Sequence, residues 1–442
     1  MSNLNRREFV KKSSAATAVA PLLVGSNSWA GANDRIRIAC VGVRGQGRGH
    51  IRGFQALPGV EVAALCDIDQ EVTAARLGEF EERGWKKPTV YSDIRKLLED
   101  ASIDAISIAT PNHWHALGTV WACQAGKDVY VEKPSSHNIW EGRKMMEAAQ
   151  RYQRIVQTGL QIRSSLAIQA AVKFLRSGQL GEVYMAKGLC YKWRDTIGKT
   201  PVEATPAGVD YDQWLGPAPQ RPFSTNRFHY NWHWHWDYGN GDIGNQGVHQ
   251  FDVARWGLGL DHHPTRVSSL GAHVMFDDDQ ETPNVQHSMF EYSPKSKGDK
   301  AKLLQFEVRH WITNHEGGIG EGPSNTVGVV FYGSEGYLVV DSYTSWHVFL
   351  GKAREPGPSA SIGGDHYQNF IDAVRTRNPG ILNCNLDEGH KSSVLCHLAN
   401  ISYRLGRSLK FDSKSERFVN DQEADLMLSR DYRIPYAIPE KL

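Results

Sequence analysis

Neither sign of charge dominates this 442-residue chain, in which 50 Lys and Arg face 49 Asp and Glu for a net charge of +1. With no long basic run, that balance creates no field to draw nucleic acid or an anionic membrane surface, so no nucleic-acid partner is expected. Cysteine is also scarce: Cys40, Cys66, Cys123, Cys190, Cys384 and Cys396 form no C-x-x-C pair and no zinc spacing. Cys40 and Cys66 fall inside apolar strand patterns, where a thiol is a small apolar group. All six are expected to be reduced and structural, and no metal is assigned. An apolar run long enough to cross a bilayer is missing as well. The mildest candidate, Ala15 to Val24, is short and Ala-rich, so the mature chain is expected to carry no membrane span. No internal repeat is present.

What the N-terminus does have is Asn5-Arg6-Arg7-Glu8-Phe9-Val10-Lys11, a twin-arginine pattern, followed by the mild apolar segment and small residues at Ala30 to Ala32. Residues 1–32 therefore read as a targeting segment, and a periplasmic or otherwise exported protein is expected. That pathway carries folded proteins, so a dinucleotide bound in the cytoplasm can travel with its domain. The remaining length suits two domains, expected at 33–160 and 161–442.

Ile36 to His50 organises the first of them. An apolar strand ends in Gly42-Val-Arg44-Gly45-Gln46-Gly47, and a helical pattern starts at about Gly47. Glycines let the backbone turn sharply and approach a pyrophosphate, which the free N–H groups of the helix then receive. A second strand, Val60 to Cys66, ends in Asp67, at the distance where a carboxylate accepts hydrogen bonds from adenosine ribose hydroxyls. Strands at Thr89–Tyr91, Asp104–Thr110, Asp128–Val131 and Ile155–Thr158 then alternate with helices. Strict alternation predicts a Rossmann-type doubly wound parallel sheet, with ligands beyond the carboxyl ends of its strands. Thr110, Asn112, His115, Glu132 and Lys133 occupy that edge. Together with Gly42, Arg44, Gly45, Gln46, Gly47 and Asp67 they are the expected cofactor-binding residues. The cofactor is expected to be NAD rather than NADP, because Asp67 would repel a 2′-phosphate.

Beyond a helix at about Ala167 to Ser177 the pattern changes. Strand-like runs at Glu182–Tyr191, Thr265–Met275, Val285–Tyr292, Leu303–Trp311, Thr326–Phe331 and Tyr337–Val340 follow, the later ones with no long helix between them. They predict an α+β domain with a large, mostly antiparallel sheet, whose open face is expected to pair with a second copy in a homo-oligomer. Lys295–Lys302 and Gly317–Ser324 read as surface loops, and helices near Asp365–Arg375 and Asp387–Leu405 close the chain.

At Glu132-Lys133-Pro134, following Thr110-Pro-Asn-His-Trp-His115 and the glycine turn, the chain resembles the Gfo/Idh/MocA family of glucose–fructose oxidoreductase and inositol dehydrogenase. Gly247-Val-His249-Gln-Phe-Asp252, Tyr332-Gly-Ser-Glu-Gly336 and the segment His366 to Arg375 resemble further family motifs. Two positions depart from the pattern. Arg44 replaces the usual second glycine, and Asn245 stands where an acid usually precedes the catalytic histidine by four residues. The resemblance implies an oxidoreductase acting on CH–OH groups of sugars, with Lys133, His249 and Asn245 as catalytic candidates.

Hydride transfer from a secondary alcohol needs a proton acceptor and a positive group for the developing alkoxide. His249, with an ordinary pKa of about 6.5, suits the first task, and Lys133 suits the second. Asn245 is placed to hold a sugar hydroxyl. In Phe228-His-Tyr-Asn-Trp-His-Trp-His-Trp-Asp-Tyr238, indoles and imidazoles suit the C–H faces and hydroxyl rim of a sugar. A metal held by His229, His233 and His235, or a simply packed loop, are the competing readings of that stretch. Arg163 joins Lys133, Trp232, His233, Asn245, His249 and Asp252 as the residues expected to touch substrate. Three functions remain open: a sugar or glycoside oxidoreductase with tightly bound NAD, a redox-neutral NAD-dependent glycosidase or lyase working through a transient keto-sugar, and a non-enzymatic NAD- or sugar-binding protein.

Overall fold

The computed structural model describes residues 35–442 apart from 295, 297, 312–315, 317, 318 and 320–323. The expected targeting segment and most of the loop at 317–324 therefore lie outside the described residues. From Ile36 to Leu442 the chain forms one compact unit.

Six parallel strands make the first sheet: β1 (Ile36–Val41), β2 (Val60–Cys66), β3 (Thr89–Tyr91), β4 (Ala105–Ile108), β5 (Asp128–Val131) and β6 (Val156–Thr158). Their order, β3-β2-β1-β4-β5-β6, reverses direction at β1 and β4, and this is the doubly wound sheet expected from the alternation. Both faces are covered, which is why β2, β4 and β5 are buried at every residue. One face packs on the helices Asn112–Gln124 and Ile139–Arg151, joined by Tyr436, Ile438 and Leu442 from the C-terminus. The other packs on the helix Gln46–Gln55 and on Phe370, Ile371 and Val374 of the helix His366–Thr376. The chain thus returns to its first sheet twice after leaving it.

Ten strands make the second sheet: β7 (Val183–Lys192), β8 (Arg266–Ala272), β9 (Val285–Tyr292), β10 (Lys302–His310), β11 (Thr326–Gly333), β12 (Gly336–Val340), β13 (Ser345–Leu350), β14 (Glu355–Ser361), β15 (Leu409–Asp412) and β16 (Arg417–Phe418). Their order is β14-β13-β12-β11-β7-β10-β9-β8-β15-β16, with β7 and β10 the parallel pair among antiparallel neighbours. Burial alternates along β8 and β9 because one face meets the helices Leu166–Arg176, Gly247–Leu258 and Leu386–Leu405 and the other stays open. Four strands went unread in the sequence. Glu355–Ser361 contains Pro356 and Pro358, and it is tolerated because β14 is an edge strand whose missing N–H groups deprive no neighbour. β13 follows Asp341-Ser-Tyr-Thr344 as a short strand of six residues, and β15 and β16 are shorter still.

Several histidines are buried in this packing. Burial pushes His113 down to about 3, His397 to about 3 and His366 to about 4, and His249 well below its ordinary value. In an unfolded chain each would titrate at about 6.5, so the unfolded state alone takes up these protons as pH falls. Stability is therefore full above about pH 6.5. Below it, each such histidine should cost roughly 1.4 kcal/mol per pH unit. Denaturant midpoints measured from pH 7.5 to 4.5 should fall steeply below 6.5; a flat profile would contradict this burial.

Candidate active site

β1 delivers the chain into the glycine turn. Gly42 has φ +76°, and a Cβ there would lie 2.8 Å from Thr110 N and 2.9 Å from the Ala109 carbonyl. Gly47 is needed for a different reason. Its Cβ would sit 1.9 Å from Gly42 O, so its bare backbone lets the helix Gln46–Gln55 close on the turn. Gly45 has open space around it, and as the N-cap of that helix it offers no side-chain hydrogen bond. The first N–H groups of the helix are thus left for an anion. At the end of β2, Asp67 accepts from Val43 N at 2.7 Å and Asp69 N at 3.1 Å, and burial pushes its carboxyl up to about 6.

A cavity of about 620 Å³ runs from this turn along the carboxyl ends of the strands. Gly42, Arg44, Gly45, Gln46, Asp67, Thr110, Asn112, His115, Glu132 and Lys133 line it, and so do Trp232, His233, Asn245 and His249. The buried Thr110 Oγ1 and Asn112 Oδ1 have no hydrogen-bond partner, which leaves them available to a ligand. The uncapped helix end, the Asp67 carboxylate and these two orphaned atoms fit a dinucleotide. In that fit the turn and helix end would hold the pyrophosphate, and Asp67 the ribose hydroxyls. His115 lines the cavity, its two ring nitrogens lying 2.7 Å from Pro134 O and 2.9 Å from Thr110 O. A neutral imidazole donates to one of these carbonyls and so ties the end of β4 to the end of β5.

Glu132 is buried at the floor of the cavity. Its Oε1 receives Gln46 Nε2, Gln161 Nε2 and His50 Nε2, each at 3.1 Å, and its Oε2 receives Lys133 N at 3.1 Å. Burial opposes its charge, yet the hydrogen bond and electrostatic pull of His50, with the charge and backbone N–H of Lys133, prevail and hold it at about 2. His50 and Gln161 were not read from the sequence; they carry no motif and matter only because they reach Glu132. Next to it, Lys133 Nζ donates to Asn245 O at 2.7 Å, and burial lowers its pKa against the opposing pull of Glu132.

The segment that carries Asn245 and His249 breaks into two helices, Gly241–Asn245 and Gly247–Leu258, at Gln246. Both side chains still line the one cavity. Asn245 Nδ2 donates to Asp242 Oδ1 at 3.1 Å, while Arg194 and His310 bind the same carboxylate. A carboxylate thus does lie beside Asn245, but the Arg194 guanidinium neutralises it. His249 makes no side-chain hydrogen bond through Nδ1, and its ring lies 5.0 Å from that of Tyr343, another lining residue without a sequence signal. Burial first, and the Lys133 charge second, push His249 well below 6.5, so it is neutral rather than poised at its midpoint.

Arg163 and Asp252 do not reach the cavity. Arg163 binds Asp252 through Nε and Nη2 at 2.8–3.0 Å and adds Glu388 at 2.8 Å, all within the helix layer. Glu388 also serves Arg163, and Ser392 Oγ donates to Asp252 at 2.7 Å, so both charges are satisfied within a buried network away from the cavity. The aromatic stretch divides in the same way. Phe228, Trp232 and Tyr238 pack with Trp214, Leu215 and Phe223 in a small apolar core, while His233 stacks on Trp232 at 3.6 Å beside the cavity. The three histidines do not converge: His229 pairs with Asp69 at 3.0 Å, His233 with Tyr230 O, and His235 with Asn226 O at 2.9 Å.

The parallel sheet, glycine turn and cavity define a dinucleotide-binding oxidoreductase fold. Residues 36–160 match the family model described as oxidoreductase family, NAD-binding Rossmann fold, and residues 165–285 with 356–438 match its C-terminal alpha/beta domain. The chain belongs to the Gfo/Idh/MocA oxidoreductase family. Among curated relatives, a glycosyl hydrolase family 109 protein of Shewanella baltica (strain OS195) is 29% identical over 206 residues, 41% of this chain and 45% of its own length. Another from Shewanella putrefaciens (strain CN-32 / ATCC BAA-453) is 28% identical over the same span. The chain thus spans less than half the length of these relatives. Levoglucosan dehydrogenase in complex with NADH has the same fold, with a TM-score of 0.63 at 16% identity over 85% of this chain and 99% of that one. Aldose–aldose oxidoreductase from Caulobacter crescentus has a TM-score of 0.62 at 19% identity over 85% and 100%.

Proposed function

We propose that the chain is an oxidoreductase that moves hydride between a hydroxyl-bearing carbon of a sugar or glycoside and a tightly held NAD. The observation that carries this reading is the meeting of Lys133, Asn245 and a neutral His249 in the same cavity as the glycine turn and Asp67. A bound NAD supplies the hydride acceptor. His249 accepts the hydroxyl proton, and the Lys133 ammonium steadies the alkoxide as it forms. The stacked Trp232–His233 pair offers a flat face to the C–H side of a sugar ring.

Tight retention has its own support. Asp210 N donates to Ile68 O and Gln70 N to Gly208 O, while Trp114 Nε1 donates to Gln213 O and His113 Nε2 meets Trp214 O at 2.9 Å. Residues 208–214 therefore strap the loop after β2 to the first turn of the helix Asn112–Gln124, and Gln213 and Trp214 line the cavity together with Asp67 and Ile68. NAD is preferred because Asp67, followed by Ile68 and Asp69, offers acceptors and no guanidinium to a 2′-phosphate. Stripped protein titrated with both dinucleotides should bind NAD more tightly; tighter NADP binding would point to Arg44 reaching the phosphate.

The glycosyl hydrolase relatives support a second reading. Oxidation at one carbon acidifies the neighbouring C–H, a substituent leaves, and hydride returns, with no net redox change. Product analysis on a glycoside panel separates the two. A keto-sugar with reduced cofactor accumulating indicates the first, and a released aglycone without it the second. Neither product from any sugar would leave a binding protein and sink both.

Export by the twin-arginine route is proposed from Arg6-Arg7-x-Phe9. Replacing Arg6 and Arg7 with lysine should retain the protein in the cytoplasm on cell fractionation. Unchanged delivery would dismiss the signal.

A further inference from the structure

Far from the glycine turn in sequence, three side chains from three segments meet. His263 lies just before β8, His390 in the helix Leu386–Leu405, and Glu416 in the turn between β15 and β16. Both imidazoles aim Nε2 at one oxygen, Glu416 Oε1, from 2.7 Å and 2.8 Å, with their ring planes perpendicular. One ligand atom from each residue lies within 4.8 Å of the other two. All three residues are buried: His390 is 1% exposed, His263 5% and Glu416 8%. Glu416 also holds φ +51°, a left-handed conformation uncommon for a residue with a Cβ, which aims its carboxylate inward.

Hydrogen bonding fills only half of the Glu416 carboxylate: both imidazoles sit on Oε1, and Oε2 is buried without a hydrogen bond, while Nδ1 of His263 and of His390 has no partner either way. Arg143 Nε stands 3.3 Å from Oε2, as an outer partner does when it orients a ligating carboxylate through the oxygen that does not bind metal. The neighbouring Arg255 guanidinium is held by Glu388, so it does not face the cluster unpaired.

We propose that His263, His390 and Glu416 form a structural site for a divalent transition cation of the zinc type, with water as the fourth ligand. Two imidazoles and a carboxylate are ligand types that zinc takes at about 2.0–2.2 Å in tetrahedral geometry. That geometry places ligand atoms roughly 3.3 Å apart, so each nitrogen–oxygen contact would open by about half an ångström. The bound ion would staple the short hairpin β15–β16 and the segment before β8 to the helix Leu386–Leu405. None of the three takes part in the cavity chemistry, so this inference does not depend on the proposed reaction.

Full-length protein dialysed against a chelator and titrated calorimetrically with Zn²⁺ should take up one tight equivalent and unfold at a higher temperature. Co²⁺ in its place should give the intense visible absorption of a four-coordinate site. Glu416→Gln keeps an oxygen for both Nε2–H groups but removes the charge, so it should fold and yet lose affinity by at least about 100-fold, more than an outer-shell change costs. His390→Ala should abolish the cobalt spectrum. Absence of a tight equivalent in the native protein, or undiminished binding in Glu416→Gln, would overturn the site and leave a hydrogen-bonded cluster.

Discussion

Lys133→Ala should leave a protein that folds and carries NAD but reduces it at least about 10⁴-fold more slowly under single-turnover conditions. Lys133 sits at the end of β5, and its ammonium is anchored on the Asn245 carbonyl at 2.7 Å, on the wall of the cavity that also carries His249. In a cavity set back from bulk water a fixed positive charge is worth far more than in water. Removing a single donor to a developing oxyanion typically costs about 10²–10³ in rate. Alanine at 133 also removes the interaction that joins β5 to the helix Gly241–Asn245, so substrate alignment suffers as well. NAD content should be nearly unchanged, since the glycine turn, the helix end and Asp67 are untouched. Stopped-flow absorbance of the reduced cofactor, with NAD released and quantified from each variant, reads both quantities. A rate within tenfold of native would remove Lys133 from the chemistry. The pH profile carries a second mark. Burial lowers the lysine pKa, so activity that needs the ammonium should fall off on the alkaline side below the ordinary lysine value of about 10.4.

His249→Ala should slow the same step by roughly 10²–10⁴-fold, the range for a positioned acid–base group. The lower part of that range is the better expectation. A base whose pKa lies well below the working pH is always free to accept, but it pulls the proton less strongly. For the same reason the native pH profile should show no acid limb near 6.5, where an exposed histidine would titrate. Cofactor content should again be native. If His249→Ala reduces its NAD at the native rate, the proton acceptor lies elsewhere, with Lys133 and the His229–His235 stretch next in line.

The glycine turn, the alternating strands and the strand runs of the second half were legible because each rests on a local regularity. Strand and helix periods repeat within a few residues, and a positive φ at Gly42 is a property of one position. Lys133, Asn245 and His249 were legible through resemblance, and the cavity brings them together. Asp252 and Arg163 show where that route stops. Each lies in a segment that leads to the site, yet their charges meet 89 positions apart and are buried on each other. His115, by contrast, lines the cavity, with its ring nitrogens facing two backbone carbonyl groups.

What the sequence by itself determined is the class of molecule: a doubly wound dinucleotide domain, a sheet-rich second half, and a short set of side chains at strand ends. Tertiary structure alone decided which of those side chains face the cavity, that Asp242 is held by Arg194 beside Asn245, and that His50 supports Glu132. It also decided that His263 and His390, 153 and 26 positions from Glu416, share one of its oxygens. The reason is physical. Backbone periods are dictated by bonds and sterics within a few residues, whereas a buried charge finds whichever partner the closing of the chain brings within about 3 Å.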